Sequence, residues 1–92
     1  SFDAPKKSIF ETLYQTVVKN SVASAVAEYR KLKAENSPIF DFSERELNML
    51  GYQLLNMKRT KDAIEIFKLN AEMFPNSTNV YDTLGEAYLA DG

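Results

Sequence analysis

Cysteine and histidine are both absent from this chain. Without cysteine there is no disulfide framework and no thiol chemistry, and no redox compartment can be inferred. Without histidine, the sequence lacks the commonest general base and the commonest metal ligand, which excludes Ser-His-Asp and Cys-His catalytic arrangements. The glycines, Gly51, Gly85 and Gly92, are too dispersed to form a phosphate-binding loop. We therefore expect no catalytic residue, no metal ligand and no cofactor.

The sequence also lacks a large excess of positive or negative charge, and it lacks long apolar runs. The 11 basic and 13 acidic residues give a net charge of −2, which provides no general attraction to nucleic acid or to an anionic membrane. No apolar run approaches the roughly 20 residues of a membrane span. We expect one small domain of 92 residues, without nucleic-acid or membrane partners and with no visible targeting segment. The position of its ends suggests a piece of a longer protein, and its compartment stays open.

Helical periodicity is the strongest signal that is present. Apolar residues recur at spacings of three and four, which is typical of amphipathic helices. The pattern predicts an all-α fold of five antiparallel helices, at about residues 5–19, 21–35, 44–57, 61–74 and 78–90. Residues suited to cap or start these helices are Asp3 with Pro5 for the first, Ser21 for the second, Ser43 in a capping box with Glu46 for the third, Thr60 for the fourth and Ser77 for the fifth.

A pattern of small and large residues repeats after 34 positions, the distance from Gly51 to Gly85. The first copy consists of Leu47, Leu50, Gly51, Leu54, Ala63, Phe67 and Pro75, and the second of Tyr81, Leu84, Gly85 and Tyr88. We expect both Gly51 and Gly85 at close helix crossings, where a side chain would overpack the contact at a cost of ~1–3 kcal/mol. Either glycine in solvent would contradict that expectation.

At these residues the chain resembles the tetratricopeptide repeat (TPR) family, with a full unit over 44–77 and the first helix of a truncated second unit over 78–92. It departs from the family pattern at Leu47 and Leu54, where Trp and Tyr are favoured. The resemblance implies a short right-handed α-α solenoid that binds a protein or peptide in a groove. The implied groove residues are Asn48, Tyr52, Leu55, Asn56, Asn79, Asp82, Thr83 and Glu86.

Acidic residues at two of these groove positions indicate the kind of segment that would bind. Asp82 and Glu86 lie four residues apart and therefore share a helix face. We interpret them as a solvated acidic face, since no third ligand or base is placed beside them for catalysis. They make recognition of a free carboxylate doubtful, and a neutral or basic segment fits better.

The first 43 residues lack the Leu-Gly signature. Ala25 and Tyr29 nevertheless keep the spacing of Ala63 and Phe67, so 5–36 is predicted to be a degenerate helical pair. The alternative is an unrelated helical hairpin. Residues 37–43 form a predicted linker that contains Ile39, Phe40 and Phe42. These three either fold back as a plug between the helix pairs or form an exposed partner-binding tip.

A second resemblance concerns a repeat that follows the catalytic domain of bacterial serine hydrolases of the beta-lactamase-like or esterase-like kinds. The similar runs are residues 50–55, 63–70, 74–77 and 81–88. This resemblance implies a non-catalytic C-terminal accessory or dimerisation domain. The fifth helix lacks the partner that would complete its unit, so a homodimer through that helix is predicted, with a monomer as the alternative.

Overall fold

The fold of this protein, described here from a computed structural model over residues 5–92, is all-α, as the periodicity predicts. Within those residues lie five helices and two short strands. They are β1 (Lys7–Ser8), α1 (Ile9–Lys19), α2 (Val22–Ala34), β2 (Phe40–Asp41), α3 (Glu44–Asn56), α4 (Thr60–Met73) and α5 (Thr78–Asp91). The chain divides into two compact units, the first ending at Phe42 and the second starting at Ser43. The predicted cap Asp3 lies outside the described residues.

The first unit is built on a hairpin of α1 and α2. One stripe of α1 is fully buried and comprises Ile9, Leu13 and Val17, at the four-residue spacing of one helix face. The side chain of Ser21 accepts a hydrogen bond from the Ser24 backbone N–H at 3.1 Å, which confirms the predicted cap of α2. Such a cap satisfies an N–H that has no partner inside the helix.

The start of α1 differs from its prediction. The helix was expected from residue 5 with Pro5 in its first turn, but it begins at Ile9. The preceding residues are extended instead: β1 pairs in parallel with β2, with Lys7 opposite Phe40. The backbone N–H of Lys7 also donates to the Ile39 carbonyl at 2.7 Å. These bonds satisfy backbone groups that another helical turn would have satisfied internally, and the helix is correspondingly shorter.

Aromatic residues of the linker pack within the first unit. The rings of Phe42 and Tyr29 meet edge to face with centroids 5.6 Å apart, and the Tyr29 hydroxyl donates to the Phe42 carbonyl at 3.4 Å. Phe40 lies next to Phe42, at a centroid distance of 6.3 Å. Ile39 does not join this cluster and is 54% exposed. The linker is therefore anchored on the buried Tyr29 of α2.

The second unit consists of α3, α4 and α5, and α4 packs against both of the others. The Asn70 side chain near the end of α4 donates to the Glu44 carbonyl at the start of α3, at 3.2 Å, so these helices are antiparallel. At the other end of α4, Lys61 lies 3.2 Å from Asp91 at the end of α5. The position of that pair shows that α4 and α5 are antiparallel too. As a result, α3 and α5 run in the same direction.

The predicted start of α3 is confirmed, at Glu44 with Ser43 as the N-cap, but the Ser43 hydroxyl makes no capping hydrogen bond. The Ser43 carbonyl instead accepts from the Glu46 N–H at 3.0 Å. Helix α4 starts one residue early, with Arg59 as its N-cap and Thr60 already helical. The Arg59 guanidinium instead pairs with Asp62 at 2.9 Å and fixes the first turn. Pro75 follows the end of α4, as expected of a residue that cannot continue a helix.

Candidate functional site

The close crossing predicted at Gly51 is present between α3 and α4. Gly51 is buried, and a Cβ added there would overlap the ring of Phe67. The Phe67 ring is fully buried, and Tyr52 meets it edge to face at 5.5 Å. The other packing residues predicted for this pair are fully buried as well: Leu47, Leu50, Leu54 and Ala63. The first full copy of the sequence pattern is thus packed as expected.

Among the described residues 5–92, no helix crosses α5 at Gly85, so the crossing predicted there is wrong. Gly85 is exposed, and a Cβ added to it would meet nothing within 4 Å. The residues around it on α5 are exposed too, with Tyr81 at 51% and Tyr88 at 49%. The physical reason is that α4 packs on the opposite side of α5, where Val80 and Ala87 are fully buried. The face of α5 that carries Gly85 stays open.

Side chains of α3 and α5 meet in register with the sequence repeat. The Tyr52 hydroxyl donates to Glu86 Oε2 at 2.9 Å, across 34 residues. Glu44 Oε2 accepts from the Ser77 hydroxyl at 3.0 Å and from the Asn79 amide at 3.3 Å, across 33 and 35 residues. Parallel helices displaced by one repeat account for all three separations. We call this surface of α3 and α5, defined by Glu44, Tyr52, Asn79, Asp82 and Glu86, the α3–α5 face.

The electrostatics of this face favour the protonated form of the Tyr52 phenol. The hydrogen bond to Glu86 raises the pKa of Tyr52 above its ordinary value of 10.0, and partial burial and the charges of Glu86 and Asp82 act in the same direction. A protonated phenol can donate to a carboxylate, whereas a phenolate would repel it. The protonated Tyr52 phenol therefore bridges the two helices by donating to Glu86.

The remaining predicted groove residues differ in their exposure to solvent. Asn56 and Asp82 are exposed and Leu55 is half-buried, so all three can be reached from solvent. Thr83 is buried, and its hydroxyl donates to the Val80 carbonyl at 3.2 Å, so its side chain packs inside the unit. The Asn48 Oδ1 atom is also buried, and none of the described residues donates a hydrogen bond to it.

Sequence reasoning missed Glu44 of this face and its donor Ser77. The sequence suggests Ser77 as the cap of α5 and predicts no contact for Glu44 with that helix, yet together they join α3 to α5. Ser77 makes no side-chain capping bond to its own helix. The signal that could have found the pair is their spacing of 33 residues, which is nearly the repeat period.

The described residues show neither a metal centre nor a membrane span. Across residues 5–92, no group of three or more Asp, Glu, His or Cys side chains is placed to hold a metal ion. In that same range, none of the helices combines the length and apolar character needed to cross a bilayer. Comparison with models of protein families, with curated proteins and with solved structures finds no match to the chain.

Proposed function

We propose that this chain is a protein–protein interaction module of the TPR type, and that it binds a segment of a partner protein on the α3–α5 face. Binding depends on shape and polar complementarity, with no bond-making step. The observation that carries the proposal is the contact of Tyr52 with Glu86 at 2.9 Å across 34 residues. It supports the proposal because in a stacked repeat the corresponding helices of successive units lie side by side and form a continuous surface.

The chemistry of the face favours a neutral or basic partner segment. Glu44, Asp82 and Glu86 contribute three carboxylates, and the Tyr52 hydroxyl is already used by Glu86. Lys or Arg side chains of a partner would find acceptors there, whereas an acidic segment would meet like charges. Asp82 is exposed, so a partner cation can approach it without displacing an internal contact.

An array of extended peptides of defined charge tests this proposal. Peptides that contain Lys or Arg are expected to bind the protein more tightly than matched peptides that contain Glu or Asp. Tyr52→Ala and Asp82→Lys should weaken their binding about tenfold, since each removes or reverses a contact of about 1.4 kcal/mol. Glu65→Lys is the matched charge reversal, at an exposed position of α4, and Lys7→Ala probes the first unit. Both variants should bind normally. Unchanged binding by the Tyr52 and Asp82 variants would refute the proposal that the partner segment binds on the α3–α5 face.

The alternative role expected from the second resemblance, an accessory or dimerisation domain, would use the open face of α5. Its exposed Tyr81, Tyr88 and Leu89 favour some form of association. However, α5 carries Asp82, Glu86 and Asp91 and no basic residue, so pairing two copies of α5 would bring like charges together. Static light scattering tests the dimerisation form of this alternative, which requires twice the mass of the chain.

A further inference from the structure

Asn48 lies between two hydrogen-bonded bridges that join α3 to α5. It comes four residues after Glu44 and four residues before Tyr52, so these three residues follow one stripe along α3. Glu44 accepts from Ser77 at the start of α5, and Tyr52 donates to Glu86 at 2.9 Å. Because the stripe is joined to α5 on both sides of Asn48, this residue lies beside the middle of the α3–α5 face.

The side-chain oxygen of Asn48 is a buried acceptor without a donor. Its Oδ1 atom is shielded from solvent and none of the described residues donates a hydrogen bond to it, whereas Asn48 as a whole is only half-buried. A buried carbonyl without a donor costs free energy in the unbound protein, and such a group in a folded protein calls for an explanation. A donor from a bound segment would satisfy this oxygen after a small change in the side-chain torsions, which the partial exposure of Asn48 permits.

Asp82 is the equivalent of Asn48 on α5. The two positions are 34 residues apart, which is also the separation of Tyr52 and Glu86. Asp82 is exposed, and its charge reaches the Tyr52 phenol, whose pKa it helps to raise. One helical turn before the bridge from Tyr52 to Glu86, the two parallel helices therefore present an amide and a carboxylate in register.

We infer that Asn48 and Asp82 together bind an arginine side chain of the partner segment, whose guanidinium donates to Asn48 Oδ1 and to the Asp82 carboxylate. The inference rests on the function proposed above and names the residue that the partner must carry. A guanidinium is planar and has five N–H donors on separate nitrogens, so it can reach an amide oxygen and a carboxylate together. A lysine ammonium is a compact point charge that would pair with Asp82 alone. The site therefore selects arginine over lysine.

A short peptide with one central cation tests the site. The probe is acetyl-Gly-Ser-Gly-Arg-Gly-Ser-Gly-amide, and two matched peptides carry Lys or Glu in place of Arg. Titration into protein labelled with ¹⁵N and ¹³C should shift the Nδ2 and Cγ NMR signals of Asn48, which report on its side-chain amide directly. The Arg peptide should bind severalfold more tightly than the Lys peptide, and the Glu peptide should bind least because it meets like charges.

Two variants of Asn48 separate binding from stability. Asn48→Leu removes the acceptor, so it should weaken binding of the Arg peptide about tenfold and abolish the preference over Lys. The same variant should resist urea at least as well as wild type, because a buried acceptor without a donor is gone. Asn48→Asp keeps an acceptor and should bind the Arg peptide at least as tightly as wild type, yet it should unfold at lower urea because it buries a charge.

Asn20→Leu provides the matched control. It makes the same change of side chain at an exposed position of the first unit, so it should bind all three peptides as wild type does. If Asn48→Leu does not fold, the NMR signals of Asn48 in the wild type and the binding of Asn48→Asp still decide the outcome.

Three results would overturn the inference: equal binding of the Arg peptide by wild type and Asn48→Leu, Asn48 signals that do not shift at saturating peptide, or equal affinity for the Arg and Lys peptides. If one of these is found while Tyr52→Ala and Asp82→Lys still weaken binding, the function proposed for the α3–α5 face survives and the arginine site alone is refuted. Wild-type protein that binds neither cationic peptide at millimolar concentration would refute both.

Discussion

Tyr52 and Glu86 are 34 residues apart in sequence and are joined by a hydrogen bond of 2.9 Å. The bond joins the middle of α3 to the equivalent turn of α5, so one sequence period corresponds to one step between parallel helices. Its energetic contribution is modest because Tyr52 is 36% exposed and solvent competes for the phenol. The bond shows how α3 and α5 are aligned relative to each other. Four testable predictions follow from this arrangement and from the residues around it.

The first concerns the titration of Tyr52. Glu86→Gln removes the charged acceptor that is the main cause of the raised pKa, so the pKa of Tyr52 should fall toward its ordinary value of 10.0. NMR of tyrosines labelled with ¹³C at Cζ would follow each phenol separately. In the same experiment Glu65→Gln, on α4, should leave the Tyr52 titration unchanged. A Tyr52 pKa that is identical in wild type and Glu86→Gln would contradict the bond.

The second compares the two glycines of the repeat. Gly51→Ala should lower the free energy of unfolding by about 1–3 kcal/mol, because the added methyl overlaps the buried Phe67 ring. Gly85→Ala should raise it by about 0.5–1 kcal/mol, because the methyl enters open space and alanine favours the helix. Urea unfolding followed by circular dichroism measures both.

Phe67→Leu provides the control for this comparison. The smaller side chain should relieve part of the cost of Gly51→Ala, so the double variant should lose less stability than the two single changes together. Full additivity would mean that Gly51 and Phe67 do not oppose each other. Destabilisation of similar size by both alanine substitutions would contradict the difference between the buried and the open glycine.

The third concerns alkaline stability of the first unit. Burial raises the pKa of Tyr29 to about 12 from 10.0, so the folded chain retains a proton that the unfolded chain loses. Stability is therefore complete below pH 10 and is lost as the pH rises through about 12. The loss amounts to about 2–3 kcal/mol. Urea unfolding at pH 8 to 12 should show this decline in wild type.

Two tyrosine variants distinguish Tyr29 from a general effect of alkali. Tyr29→Phe has no phenol to ionise and should decline less than wild type over the same pH range. Tyr88→Phe removes a half-exposed phenol and should decline as wild type does. Parallel curves for wild type and Tyr29→Phe would refute the assignment.

The fourth concerns Glu44, which accepts from both Ser77 and Asn79. Glu44→Ala should lower the free energy of unfolding by about 1–2 kcal/mol, since two hydrogen bonds to a charged acceptor are lost at a partly exposed site. Glu65→Ala is the matched control, because Glu65 forms a half-exposed pair with Lys68 at 3.4 Å within α4, and such pairs contribute little. Equal effects of the two variants in urea unfolding would contradict the role of Glu44 in joining α3 to α5.

The sequence predicts the helices and their packing better than their starts. The apolar spacing leads to five helices and identifies the buried residues of α3 and α4, because burial follows from helical periodicity. It fails at Ile9, where the pairing of Lys7 with Phe40 competes with a further helical turn. It also fails for the cap at Ser43, where the backbone carbonyl accepts the hydrogen bond in place of the hydroxyl. Local patterns contain no information on such tertiary alternatives.

The candidate site is also only partly predictable, because a local sequence pattern does not encode tertiary contacts. The repeat period brings Tyr52, Asn79 and Glu86 to the same face, as expected, but it also suggests a closed contact at Gly85 that the described residues do not make. A repeat pattern specifies which face of a helix is suited for packing. It does not specify whether a neighbour occupies that face, and Gly85 shows the difference.

The central position of α4 has a consequence for how the second unit folds. Both neighbours of α4 adjoin it along the chain, so its helix–helix contacts involve short loops and have low contact order. Closing such loops costs little entropy, and we expect residues 43–92 to collapse within microseconds to milliseconds around α4. The longer-range bonds from Tyr52 and Glu44 would then form last, after the transition state, and would slow unfolding more than they speed folding.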